Sequence, residues 1–121
     1  MNCDAASAAS FLPERKMKED LPTIAILGTG GTIAGKAGSA SATTGYVPGS
    51  ATVEDLLASV PGLEDIANLT SVQVSNIGSE DMTDEIWACL VKETESQLKD
   101  PEVAGVVITH GTDTLEETAF M

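Results

Sequence analysis

Three short turns rich in glycine and hydroxyl side chains hold the residues whose types suit catalysis: Gly28–Thr32, Asn76–Asp81 and Thr109–Thr114. A threonine hydroxyl becomes a nucleophile once a neighbouring group takes or polarises its proton, and backbone N–H groups in such turns can stabilise an oxyanion. Threonine after glycine is also an ordinary turn residue, so Thr32 or Thr112 alone would indicate little. Two such turns, with a Gly-Ser-Glu turn between them, favour nucleophilic catalysis.

Buried strands are predicted directly before these turns. The run Ile24–Leu27 is apolar without alternation, which is typical of a strand covered on both faces. Further strands are predicted over 69–77 and 103–108, and helices over 52–60, 83–98 and 115–121. This alternation predicts an α/β fold, a parallel sheet with flanking helices in a Rossmann-like three-layer arrangement. Ligands of such sheets bind beyond the carboxyl ends of the strands, where all three turns lie.

Capping patterns support the predicted helices. Thr52 and Asp55 form a capping-box pattern, and Asp113 with Glu116 predicts a cap for the last helix. Pro61-Gly62 stops the first helix. The long segment 35–51 has no apolar stripe and is predicted to be a mobile, functional loop.

Composition excludes several classes of function. The 121 residues include 6 basic and 19 acidic ones, a net charge of −13, which disfavours nucleic acid and membrane surfaces as partners. A single histidine, His110, and the absence of Cys-x-x-Cys leave no metal site, and no cofactor is expected. Residues 1–20 are predicted to be a flexible extension before one domain, 21–121. They contain no signal peptide, which favours a cytoplasmic location.

Nucleotide binding is a minor alternative. Gly30–Lys36 approaches the phosphate-loop pattern, but Ala37 lacks the hydroxyl that such loops offer to magnesium. The residues that follow are predicted to be loop, whereas a phosphate loop leads into a helix. A dinucleotide fingerprint fails because Ile33 stands where a small residue is needed.

The turns resemble the signatures of one enzyme family. Ile26–Gly35 is similar to the first signature of bacterial-type L-asparaginases, and Val107–Glu117 is similar to the second. Asn76–Met82 also resembles the family at the expected place between them. The similarity extends over Leu21–Met121. It implies the hydrolysis of L-asparagine to L-aspartate and ammonia, with L-glutamine as a possible weaker substrate.

The resemblance also assigns roles to single residues. Thr32 matches the primary nucleophile, and Tyr46 falls near the tyrosine that helps to activate it. Thr112 and Asp113 match two members of a Thr-Lys-Asp set that assists attack or activates water. The residues that match substrate-binding positions are Gly31, Ser79, Glu80, Thr112 and Asp113. Physical chemistry agrees, because an amino-acid ammonium needs an anionic partner and its carboxylate needs donors.

The resemblance places the lysine of that set beyond Met121, and it implies a homotetramer for the full-length form. We therefore expect this chain to be a truncated domain with little or no activity alone. The alternative is a non-catalytic amino-acid-binding or interaction fragment. Calorimetry with aspartate would separate the two functions in part.

Overall fold

The computed structural model describes residues 17–31 and 51–121. Its strands are β1 (Thr23–Gly30), β2 (Asn68–Ile77) and β3 (Val103–Thr109). Its α-helices are α1 (Val53–Ala58), α2 (Asp84–Lys99) and α3 (Leu115–Phe120). Two 3₁₀ turns, Leu63–Asp65 and Ser79–Asp81, complete the order β1, α1, 3₁₀, β2, 3₁₀, α2, β3, α3. This is the α/β alternation that the sequence predicts.

The three described strands form one parallel sheet in the order β2-β1-β3. In this register Leu27 of β1 lies beside Val72 of β2 and Ile108 of β3. Because all strands run in the same direction, their carboxyl ends meet at one edge of the sheet. The predicted parallel sheet is confirmed, and β1 is its central strand.

Helices lie on both faces of the sheet. Leu27 and Val72 pack with Leu90 of α2 in a fully buried cluster. Successive residues of a strand face opposite sides, and a Cβ added to the next residue, Gly28, would lie 2.8 Å from the Cβ of Val53 in α1. Helices α1 and α2 therefore cover opposite faces, which gives three layers.

The capping box predicted for α1 is present. The Asp55 N–H donates to the Thr52 hydroxyl over 3.2 Å, and the Asp55 carboxylate accepts from the Thr52 N–H over 3.1 Å. The side chain of Gln73 on β2 accepts from the Val53 N–H over 2.7 Å. The start of α1 is thereby fixed both by its own cap and by the sheet.

The sequence interpretation of β3 as a buried strand is wrong for the described chain. Val107 is 50% exposed and Ile108 is 37% exposed. Within the described residues β3 pairs only with β1, so it is an edge strand. Helix α2 packs against β3 on the face that bears Val106, but Val107 and Ile108 remain in contact with solvent.

The predicted cap of α3 is also wrong. Thr114, not Asp113, is the N-cap residue, and no side chain caps this helix. The Thr114 hydroxyl is used elsewhere, because it donates to the carbonyl of Ser79 over 2.8 Å. The Thr114 hydroxyl therefore bonds to Ser79 and does not cap the helix.

Residues just before β1 already contact the sheet domain. The Lys18 ammonium lies 2.9 Å from the Asp65 carboxylate. The Lys18 backbone N–H donates to the side chain of Asn68 over 2.9 Å, and that side chain donates back to the Lys18 carbonyl over 2.8 Å. These bonds hold the approach to β1 against the start of β2.

Candidate active site

The carboxyl end of β1 turns sharply at Gly30 and Gly31. Both residues have positive φ, 100° and 85°, a region that non-glycine residues seldom adopt. The Gly31 N–H donates to the carbonyl of Ile77, at the end of β2, over 2.7 Å. A Cβ at Gly30 would lie 2.5 Å from the backbone of the same Ile77. The glycines therefore let the β1 turn lie directly against the end of β2.

The β1 turn also touches the turn that follows β3. A Cβ at Gly31 would overlap the backbone of Gly111, and a Cβ at Gly111 would lie 3.1 Å from the Gly31 Cα. That second Cβ would also lie 2.5 Å from the Ser79 hydroxyl. Gly31, Ser79 and Gly111 are all buried. The turns that follow β1, β2 and β3 therefore meet at one point.

Hydrogen bonds hold the 3₁₀ turn after β2 to the turn after β3. The Asp113 N–H donates to the Ser79 hydroxyl oxygen over 3.0 Å, and Thr114 donates to the Ser79 carbonyl. Ser79 is only 6% exposed. Since the Ser79 oxygen accepts from Asp113, its own hydroxyl hydrogen remains available to a ligand.

Two further hydroxyls tie the strand ends together beneath the turns. Thr29 donates to the carbonyl of Thr109 over 2.7 Å, which links β1 to β3. Ser75 donates to the carbonyl of Thr29 over 2.9 Å, which links β2 to β1. Thr29 is 3% exposed. These two hydrogen bonds connect the ends of all three strands beneath the turns.

The structure brings all five of the predicted site residues that it describes to one edge. Gly31 and Ser79 form its buried floor, whereas Thr112, Asp113 and Glu80 are exposed at the rim. Asp113 is not the N-cap residue of α3, which is Thr114. Thr32 and Tyr46 lie outside the described residues.

Nucleotide binding gains no support from the described part of Gly30–Lys36. A phosphate loop needs glycines so that its backbone can approach a ligand. The positive φ values of Gly30 and Gly31 are instead explained by their contacts with Ile77 and Gly111. The neighbouring turns supply a packing reason for both glycines.

The described residues form neither a metal-binding cluster nor a membrane-spanning helix. Among residues 17–31 and 51–121, no group of three or more His, Cys, Asp or Glu side chains is arranged to hold a metal ion. None of the helices described has the length and apolar character needed to cross a bilayer.

Sequence reasoning missed a group of polar side chains next to the rim. His110, Thr118 and Trp87 form a hydrogen-bonded chain that ends at the carbonyl of Gly111. The available signal was the single tryptophan, since a packed indole N–H usually finds an acceptor. Its partner Thr118 lies 31 residues further along the chain, which periodicity does not reveal.

A comparison with protein families identifies the relatives of this chain. The sequence model of the family described as Asparaginase, N-terminal matches residues 23–121. The chain belongs to the asparaginase family. The matched range contains all three turns and every strand of the described sheet.

Curated members of the asparaginase family cover the chain at high identity. L-asparaginase 2 of Bacillus subtilis (strain 168) is 48% identical over 103 residues, 85% of this chain and 28% of its own length. L-asparaginase 2 of Escherichia coli (strain K12) is 50% identical over 83% of this chain and 28% of its own. Glutaminase-asparaginase of Pseudomonas aeruginosa is 47% identical over 96% of this chain and 31% of its own. The chain thus spans less than a third of these relatives.

A solved asparaginase has the same fold. The structure of a probable cytoplasmic L-asparaginase from Campylobacter jejuni matches with a TM-score of 0.77 and 49% identity. It covers 82% of this chain, which in turn covers 30% of it. The three-stranded parallel sheet with its helices is therefore the asparaginase N-terminal fold.

Proposed function

We propose that this chain supplies the threonine-bearing part of a site that hydrolyses L-asparagine. The observation that carries the proposal is the contact of Gly31 with Gly111. Gly31 directly precedes Thr32, and Gly111 directly precedes Thr112. Since consecutive Cα atoms are about 3.8 Å apart, this contact supports the proposal that both threonines belong to the same edge of the sheet.

In the proposed reaction the Thr32 hydroxyl oxygen attacks the amide carbon of the substrate side chain. Its proton passes to the departing nitrogen, the C–N bond breaks, and ammonia leaves behind an aspartyl ester of the threonine. Water then attacks the ester carbon and releases L-aspartate together with the restored hydroxyl. Tyr46 and the set that includes Thr112 and Asp113 are proposed to assist these proton transfers.

The rim offers groups that match both charges of an amino acid. The exposed carboxylates of Asp113 and Glu80 suit the substrate ammonium. The hydroxyl hydrogen of Ser79, whose oxygen is already fixed by the Asp113 N–H, suits the substrate carboxylate. Gly31 contributes the floor. The name of the Pseudomonas aeruginosa relative makes L-glutamine a second candidate substrate.

Further parts of the proposal concern the protein as a whole. The functional form is proposed to be a homotetramer in which a lysine completes the set of Thr112 and Asp113. We retain 1–20 as an extension and 21–121 as the domain. The names of relatives include both periplasmic and cytoplasmic enzymes, so a cytoplasmic location is a proposal only.

The decisive experiment uses a chimera. Residues 21–121 replace the matching segment of the Bacillus subtilis relative, and ammonia release from L-asparagine is measured. We expect activity in the chimera, little or none in the 121-residue chain, and loss in the Thr32→Ala and Thr112→Ala variants of the chimera. Thr32→Ser is the matched control that keeps a hydroxyl. A folded chimera whose Thr32→Ala variant retained turnover would refute the proposed nucleophile.

Binding without catalysis is the second candidate, because Ser79, Glu80 and Asp113 all belong to this chain and need no lysine. Calorimetry with L-aspartate on the 121-residue chain tests it. Binding that Asp113→Asn abolishes, combined with an inactive chimera, would favour a non-catalytic amino-acid-binding fragment.

A further inference from the structure

A hydrogen-bonded chain connects helix α2 to the turn that bears Thr112. The Trp87 indole N–H donates to the Thr118 hydroxyl oxygen over 2.7 Å. That oxygen lies 2.8 Å from Nε2 of His110, and Nδ1 of the same ring lies 2.6 Å from the Gly111 carbonyl oxygen. All three side chains are half-buried.

For a neutral His110 ring, the chemistry of the end groups fixes the position of every proton in this chain. A carbonyl oxygen only accepts, so Nδ1 of His110 must carry a proton and donate it to Gly111. In the neutral ring Nε2 is then an acceptor, and the Thr118 hydroxyl must donate to it. The indole N–H only donates, and it fills a remaining lone pair of the same hydroxyl. One tautomer of neutral His110 therefore satisfies all three bonds.

The Gly111 carbonyl belongs to the peptide group that joins Gly111 to Thr112. A trans peptide is planar, so holding this oxygen fixes the tilt of the plane and the direction of the Thr112 N–H. Thr112 is exposed and Gly111 is flanked by Gly31 and Ser79. A glycine turn left to itself has a wide choice of backbone angles. The imidazole restricts that choice at the residue before Thr112.

We propose that His110, in its Nδ1–H tautomer, is a positioning residue for Thr112, and that Thr118 and Trp87 hold it in that tautomer. The role in turnover rests on the proposed function, whereas the tautomer does not. His110 acts through the backbone of Gly111 and exchanges no proton with the substrate. Helix packing around Trp87 is thereby connected to the orientation of the second threonine.

The tautomer is measurable in the 121-residue chain itself, because it contains one histidine and one tryptophan. Two-bond correlation spectra of the ¹⁵N-labelled ring at pH 8 should show a protonated Nδ1 and an unprotonated Nε2. The indole N–H should exchange slowly in the original chain and in Thr118→Ser, and faster in Thr118→Val. A ring protonated mainly at Nε2 would overturn the proposal whatever the activity.

Matched amide substitutions test the positioning role in the chimera. Asparagine at position 110 places an N–H donor where Nδ1 stands, whereas glutamine places its amide near Nε2. We expect His110→Asn to keep kcat within about threefold, and His110→Gln to lower it by about 10–100-fold with a smaller change in KM, since small misplacements cost up to about 10²-fold. Thermal unfolding of both variants provides the stability control.

Equal values of kcat in His110→Asn and His110→Gln, at equal stability, would show that His110 only fills space. An inactive unsubstituted chimera would count against the proposed function, while the ring spectra would still decide the tautomer.

Discussion

Substituting Gly31 by alanine tests the contact on which the candidate site depends. Gly31 has φ of 85°, and a Cβ there would overlap the backbone of Gly111. The left-handed conformation costs a non-glycine residue roughly 1–2 kcal/mol. Forcing an extra methyl into a packed contact adds typically about 1–3 kcal/mol. Part of this loss is offset by about 0.4–1 kcal/mol, because alanine reduces the entropy of the unfolded chain.

The chain provides a matched control at Gly62. This glycine has the same φ of 85°, but a Cβ there would meet nothing within 4 Å. Gly62→Ala therefore measures the backbone strain without the overlap. We expect urea unfolding to show Gly31→Ala to be less stable than Gly62→Ala by about 1–3 kcal/mol, which is the overlap cost alone.

The same two variants in the chimera should differ in activity. The overlap at Gly31 pushes the turn after β3 away from the turn after β1, and a displacement of about 1 Å can lower turnover by about 10²-fold. We expect that loss for Gly31→Ala, whereas Gly62→Ala should keep its turnover. If the two variants lost stability and turnover equally, the close approach of Gly31 to Gly111 would be refuted.

Three further predictions concern other parts of the domain. Leu90→Ala, at a site that is 2% exposed, should lower the free energy of unfolding in urea by about 2–5 kcal/mol. The control Val91→Ala, at the neighbouring site that is 41% exposed, should lower it by about 1 kcal/mol or less. Equal losses in the two variants would contradict the described core. Ser79→Ala should lower the free energy of unfolding by about 1 kcal/mol, because it leaves the Asp113 N–H unpaired, and it should raise KM in the chimera. The control is Ser59→Ala, at an exposed position. An unchanged KM in Ser79→Ala would show that Ser79 does not bind the substrate. The exposed apolar side chains of β3 should let the isolated chain associate, and Val107→Lys should shift it toward monomer in size-exclusion chromatography, since lysine protects open sheet edges. An elution volume equal to that of the original chain would argue against association through β3.

The sequence predicted the architecture because the signals that define it are local. The uninterrupted apolar run before Gly28 indicated a strand covered on both faces, and Ile26 and Leu27, which face opposite sides, are both buried. The capping pattern of Thr52 and Asp55 predicted the start of α1. Strand ends in a parallel sheet share one edge, so the meeting of the turns followed from topology.

The errors concern the cap of α3 and the burial of β3, both of which depend on contacts between residues that are distant in the sequence. Asp113 looked like a helix cap, but its N–H and the Thr114 hydroxyl both bond to Ser79, 34 and 35 residues earlier in the chain. Val107 looked buried because its apolar type suits a covered strand, but burial depends on what covers the strand. The chain of Trp87, Thr118 and His110 joins separate elements, and no spacing rule reveals such contacts.

The central position of β1 has a consequence for biosynthesis. Among the described strands β1 is synthesised first. Its Thr29 can form a hydrogen bond with Thr109 of β3 only after 80 more residues have been added. At about 5–20 residues per second, that wait lasts roughly 4–16 s. During it β1 can pair with β2, but its other edge has no partner strand. Parallel pairing through β3 thus leaves the strand that ends in the Gly30–Gly31 turn with one open edge, which can pair with other chains.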